Sequence, residues 1–175
     1  MTRVLVITVG ETPQVVTETV YALIKANEPW FPDRIVLATT RRGQDIFSHG
    51  LEARGLQPLT GPSGKLKAMY DHLGLSDRHV EPEILPASRA SGAALEDVRS
   101  GAEVSAFANS LLKIVREVTN ELGSELHVSL AGGRKTMSYL AGAVLSVYGR
   151  PCDVLSHVLI EPPKFEGATD FWWPG

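Results

Sequence analysis

The segment Ser129-Leu130-Ala131-Gly132-Gly133-Arg134-Lys135-Thr136 carries the residue types that hold a phosphate. Paired glycines let a backbone approach a ligand closely. The first turn of a helix offers unpaired N–H groups and the positive end of its dipole. Arg134 and Lys135 add full charges at the same point. A side chain at position 132 is expected to occupy the phosphate position. The G-x-x-x-x-G-K-[ST] spacing of a P-loop is absent, so a nucleoside triphosphate with magnesium is not the natural ligand. The plainer alternative is a tight strand-to-helix turn with two solvated basic residues.

The segment acts this way only if a strand delivers it and a helix follows. Glu125 to Leu130 reads as that strand, and Thr136 to Tyr148 as that helix. Earlier, Arg3 to Val9 is a β-branched buried strand stopped by Gly10-Glu11-Thr12-Pro13. Thr12 is the expected N-cap, Pro13 the first helical position, and Val16, Val20, Leu23 and Ile24 the apolar stripe. A second strand spans Arg34 to Thr40, and a helix is expected from Arg41 to Gly55. A short helix covers Lys65 to Leu73. Val80 to Leu85 reads as a strand that Pro82 assigns to a sheet edge. Ala87 to Gly101 is an expected surface loop, Val104 to Val118 an amphipathic helix, and Asp153 to Ile160 a last strand.

Strands alternating with helices predict an α/β fold, Rossmann-like, with a mostly parallel sheet and helices on both faces. Ligands in such sheets bind outside the carboxyl ends of the strands. Gly10, Glu11, Thr12 and Gln14, then Thr39, Thr40, Arg41 and Arg42, then Ala131 to Thr136 should therefore line one edge. Four basic side chains, Arg41, Arg42, Arg134 and Lys135, would meet one acid there, Glu11.

The chain has 175 residues, a hydrophobic fraction of 43% and a net charge of −3, which fits one domain, residues 1–175, with its own core. That charge is not built to coat a long nucleic acid, so any polyanion must meet a local basic cluster. No run is long enough to span a bilayer, and no signal peptide opens the chain, so the cytoplasm is the expected compartment. A single cysteine, Cys152, rules out an internal disulfide framework and a Cys-based zinc site; it is expected to be buried. No metal is expected, and no cofactor. The first strand-helix turn lacks G-x-G-x-x-G, which disfavours a dinucleotide-binding oxidoreductase.

The opening Thr8-Val9-Gly10-Glu11-Thr12-Pro13-Gln14-Val15-Val16-Thr17-Glu18-Thr19, together with Ser129 to Met137, resembles the CARF domains of CRISPR-associated proteins. Gly149 to Leu159, Phe165-Glu166 and Phe171-Trp172-Trp173-Pro174 resemble one subfamily of them. The resemblance covers nearly the whole chain. It implies a Rossmann-like homodimer that binds cyclic tetra-adenylate or cyclic hexa-adenylate, the messenger of type III CRISPR antiviral defence. Each subunit of a two-fold dimer would hold half of the ring.

In that setting the Gly132 and Gly133 amides would take phosphate oxygens. Arg134 would do so bidentately, or turn away into a structural pair. Thr12, Gln14 and Thr39 suit ribose hydroxyls and adenine edges; Gly10, Thr40, Arg41, Ser129, Ala131 and Thr136 complete the expected contact set. Glu11 would position Arg134 or Lys135, contact an adenine amino group, or simply sit in water. Asp97, in the long loop with Arg99, would accept an adenine N–H if the loop closes as a lid; a solvated pair is the alternative.

Two functional classes follow. One is a sensor that controls an effector, fused or associated beyond Gly175. The other is a ring nuclease without metal, in which the ribose 2′-OH attacks the neighbouring phosphate. Lys135 would then stabilise phosphoryl charge and Thr12 orient the ribose. No general base stands out. His127 shares a strand face with Ser129 but is expected to be packed, and the other histidines lie off the expected edge. Trp172 and Trp173 should pack onto the domain or face a partner.

Overall fold

The β-branched runs become five parallel strands. The computed structural model describes residues 1–161, 165 and 168–175. The strands are β1 (Thr2–Thr8), β2 (Arg34–Thr39), β3 (Glu83–Pro86), β4 (Ser124–Ser129) and β5 (Val154–Ser156). They form one sheet in the order β3-β2-β1-β4-β5. The helices are α1 (Gln14–Ile24), α2 (Arg41–His49), α3 (Lys65–His72), α4 (Gly101–Asn120) and α5 (Lys135–Tyr148). This is the α/β, Rossmann-like parallel architecture that the strand-helix alternation predicts.

Register positions the functional end of the sheet. Thr8 lies opposite Ala38, Ile7 opposite Ser129, Thr39 opposite Pro86, and Ser129 opposite Ser156. The loops after β1, β2 and β4 therefore emerge side by side. The chain winds outward from β1 to β3 and then crosses back to β4, so strand order reverses between β1 and β4. That reversal opens a crevice at the carboxyl ends.

Alternate residues of the central strands feed two cores. Val4, Val6, Val36, Leu126 and Val128 pack against α4 and α5 through Phe107, Leu111, Val115 and Ala141. Leu5, Ile7, Ile35 and Leu37 pack on the other face against α1, α2 and α3 through Val16, Val20, Phe47 and Met69. The second core also takes Trp172, only 5% exposed, with Trp173 packed beside it. The Thr17 hydroxyl donates to the Trp172 carbonyl at 2.6 Å. The tryptophans thus pack onto the domain.

Several local expectations change. Pro13, not Thr12, is the N-cap of α1, and no side chain caps it. α2 stops at His49 because Gly50 turns the chain at φ 76°; a separate 3₁₀ turn then covers Glu52–Arg54. β5 is confined to Val154–Ser156, since the chain leaves the sheet edge after Ser156. Cys152 is exposed rather than buried. The loop before α4 is anchored: Leu95 and Val98 are buried, and Leu95 N–H donates to the Ala87 carbonyl at 2.7 Å. A lid that swings as a whole is incompatible with that anchoring. Ser100 and Glu103 form a capping box that starts α4 three residues earlier than its apolar stripe. Glu166 lies outside the described residues. No described helix is long and apolar enough to cross a membrane.

Candidate ligand-binding site

The crevice is built from glycine. A Cβ on Gly10 would stand 3.1 Å from the Gly133 Cα, so the loops after β1 and β4 meet backbone to backbone. Gly133 has φ 85°, which favours glycine, and a Cβ there would sit 3.0 Å from Met137 Sδ. Gly132 is glycine for a different reason from the one expected. It is buried, and its Cβ position faces the Thr8 carbonyl at 3.1 Å and Val15 at 3.4 Å. A side chain at 132 would therefore push into the protein, not into a phosphate position. Among the described residues, the N–H groups of Gly132 and Gly133 donate no backbone hydrogen bond.

This turn is a ridge between two hollows. The larger, about 540 Å³, takes Gln14, Glu18, Ala131 and Gly132 on one side and His157 to Glu161 on the other. The smaller, about 190 Å³, is walled by Gly10, Glu11, Thr40, Asp97, Arg134 and Met137. Thr12 and Gly133 border both. Thr12 is exposed, and with no capping duty its hydroxyl is available to a ligand.

The electrostatics differ from a cationic edge with one acid. Arg134 Nε donates to Asp97 Oδ1 at 2.8 Å, and its Nη2 to the other oxygen, a bidentate pair. Arg99 joins the same carboxylate at 2.6 Å. The Arg134 guanidinium, with Arg99, holds Asp97 well below the usual carboxylate range. Glu11 pairs with Arg42 at 2.9 Å and with Arg54 at 3.3 Å, not with Arg134 or Lys135. Arg41 faces Glu96 at 3.5 Å. The three arginines expected at this edge, Arg41, Arg42 and Arg134, are thus matched by acids. Among the described residues, Lys135, exposed at the first position of α5, pairs with none of them.

Other candidate residues divide by burial. Thr39 is fully buried and sits beneath Gly43, so it does not present its hydroxyl to the edge. Ser129 is also fully buried; its hydroxyl lies 3.4 Å from that of Thr19 and accepts the Ala131 N–H. These two support the strand ends from below. Thr40 caps α2 by accepting the Gly43 N–H at 3.3 Å. Thr136 is half-buried on α5 and, like Lys135, borders neither hollow. His127 is packed: its Nε2 lies 2.6 Å from the Ser156 hydroxyl, its ring tilts against Trp30, and burial lowers its pKa.

Sequence reasoning missed two components of the larger hollow. One is Glu18, 8% exposed, whose carboxyl burial pushes up to about 7. The other is the wall from His157 to Glu161, of which His157 to Ile160 was expected to be strand. Gln14 lines the larger hollow but is 4% exposed; its amide Nε2 is within 3.5 Å of the Ala168 and Thr169 carbonyls, and among the described residues its buried Oε1 has no donor. The signal for Glu18 was available: it lies one helical turn after Gln14, on the same face of α1.

No curated protein sequence matches the chain. Among solved structures, Csm6 from Enterococcus italicus, bound to cyclic hexa-2′-fluoro-hexa-dAMP, superposes with a TM-score of 0.57 at 14% identity. The match covers 92% of this chain and 34% of that one, so the chain spans about a third of that protein's length. At this identity the likeness concerns the fold. The family model described as CRISPR-associated protein NE0113 matches residues 12–174, from the loop after β1 to the segment that closes over α1. With nearly the whole sequence inside that match, the chain belongs to the CRISPR-associated NE0113 family.

Proposed function

We propose that this chain is a CARF-type sensor domain that binds a cyclic oligoadenylate in type III CRISPR antiviral signalling. The observation that carries the reading is the glycine ridge at the β1–β4 crevice. Among the described residues, it offers amide donors with no backbone partner between two hollows, and a lysine with no acidic partner at the following helix start. Phosphates of the ring would lie along the Gly132–Gly133 ridge near Lys135. Arg134 contributes if a phosphate displaces Asp97. Adenosine moieties would enter the larger hollow beside Thr12 and Gln14. Two chains related by a two-fold axis would present this edge twice and each take half of a tetra- or hexa-adenylate ring. As a sensor, the dimer switches an effector, fused or associated, only if the ring binds its two states unequally.

Ring cleavage is the second reading. Thr12, exposed at the border of both hollows, could hold a ribose while Lys135 takes charge developing on the phosphate. One experiment separates the readings. Excess protein in EDTA is incubated with cyclic tetra-adenylate and with cyclic hexa-adenylate, and the products are resolved by chromatography. Intact ring recovered with protein of dimeric mass supports the sensor. Linear or cyclic-phosphate products, lost in Lys135→Ala, support the nuclease. Neither binding nor turnover refutes the assignment.

A further inference from the structure

Glu18 is an acid in an unusual place for a polyanion-binding protein. It borders the larger hollow and also an adjoining one of about 380 Å³ lined by Tyr21, Lys25 and Phe171. Its carboxyl forms no hydrogen bond or ion pair with any described residue. An ionised carboxylate here would be desolvated, unpaired and close to the phosphates that the ridge attracts. A neutral carboxyl avoids all three costs. The surrounding wall is apolar, with Val15, Val158, Leu159 and Ile160 around the opening. Such a wall accepts the faces of a purine and leaves its edge to the few polar groups present. One turn before Glu18, the Gln14 Oε1 is a buried acceptor without a donor among the described residues.

We propose that Glu18 reads the adenine base: its carboxyl donates its O–H to N7 and accepts the neighbouring N6–H on its other oxygen. This inference rests on the oligoadenylate reading above and names the specificity contact within the same site. On its N7 edge adenine presents an acceptor beside an amino donor, which matches a carboxylic acid. Hypoxanthine replaces that amino group with a carbonyl. Its O6 would then face the carboxyl's acceptor oxygen, and the pair is lost. A second N6 hydrogen would suit the unpaired Gln14 Oε1.

The titratable groups facing Glu18 are His157 and Glu161 from the segment after β5, and Tyr21 and Lys25 along α1. Protonation of His157 would also favour a polyanion at low pH, so pH dependence must be assigned by substitution. The test is calorimetric titration of the full chain with cyclic hexa-adenylate, cyclic tetra-adenylate and their inosine counterparts between about pH 6 and about pH 9. Wild-type affinity should fall by about tenfold for each pH unit above the carboxyl's pKa. Glu18→Gln keeps a donor and an acceptor, as glutamine does when it reads adenine. It should bind with little pH dependence. The inosine rings should bind wild type at least about tenfold more weakly at low pH.

An unchanged pH profile in Glu18→Gln overturns the proposal and points to His157. Equal binding of adenosine and inosine rings by wild type overturns it without any variant. Failure of the wild type to bind either adenylate ring at any pH refutes the functional reading itself, and this inference with it.

Discussion

Gly10 and Gly133 touch across the β1–β4 crevice, with a Cβ on Gly10 placed 3.1 Å from the Gly133 Cα. Two loops from distant parts of the chain are held at that separation because neither carries a side chain. Gly10→Ala must push them apart. We expect a loss of about 1–3 kcal/mol in stability, typical of inserting a methyl into packed backbone. Ring binding should weaken as well, because the ridge that carries the amides moves. Chemical denaturation and calorimetry on the same variant check both; wild-type stability would mean that the loops separate freely.

In the proposed ring complex, Lys135 and Asp97 would act on the ligand with opposite sign. Lys135→Ala removes an exposed, unpaired charge, so stability should change by no more than about 0.5 kcal/mol. Ring affinity should fall by roughly tenfold to a hundredfold, the range of one charge-assisted contact. Asp97→Asn weakens the hold on Arg134 and Arg99 and should tighten binding with a steeper salt dependence. An Asp97→Asn variant that binds no better than wild type would leave Arg134 as a purely structural partner.

Glu18 also sets a pH dependence of stability. Its folded carboxyl titrates near 7, against 4.5 in its ordinary state. An acid whose pKa is raised by folding favours the folded state most at low pH. That contribution disappears as pH climbs from 4.5 through about 7. The full difference is worth about 3 kcal/mol. Glu18→Gln should therefore gain thermal stability over wild type at pH above 7 and lose that advantage near pH 4.5. Parallel melting curves with a constant offset across this range would show that burial does not control the group.

Trp172 ties the closing segment to α1. Its ring is buried in the second core and its carbonyl accepts the Thr17 hydroxyl. Trp172→Ala should cost about 3–5 kcal/mol, as for other buried aromatic truncations. It should also loosen the segment at Ala168 and Thr169 that holds Gln14. Hydrogen exchange across α1 measures that loosening; unchanged protection there would separate Trp172 from the site.

Much of the architecture was legible because it rests on local patterns. The runs Val4 to Ile7 and Ile35 to Ala38 read as buried strands, and the third strand does lie at an edge, although it begins after Pro82, at Glu83, and runs on to Pro86. Ser129 to Thr136 reads as a strand-turn-helix corner because glycine pairs and helix starts are local chemistry. Boundaries were less secure where the deciding contact is remote. β5 ends at Ser156 as the chain leaves the sheet, and Thr12 lost its capping role to the trajectory of Gly10 to Pro13. The same remoteness hides Thr39 and Ser129 beneath the edge instead of on it.

The sequence by itself determined the strand-helix order, the parallel sheet and the placement of a glycine-rich basic turn at its carboxyl end. Periodicity and backbone freedom act over a few residues, so they survive being read along the chain. Only the tertiary structure decided which charges remain free. Arg134 meets Asp97 across 37 positions, and Glu11 meets Arg54, leaving Lys135 apart from them. Likewise, only folding brings residues 157–161 and Trp172 over α1 and takes Glu18 out of water. Ion pairing and desolvation depend on distances through space, and those exist only once the chain has closed on itself.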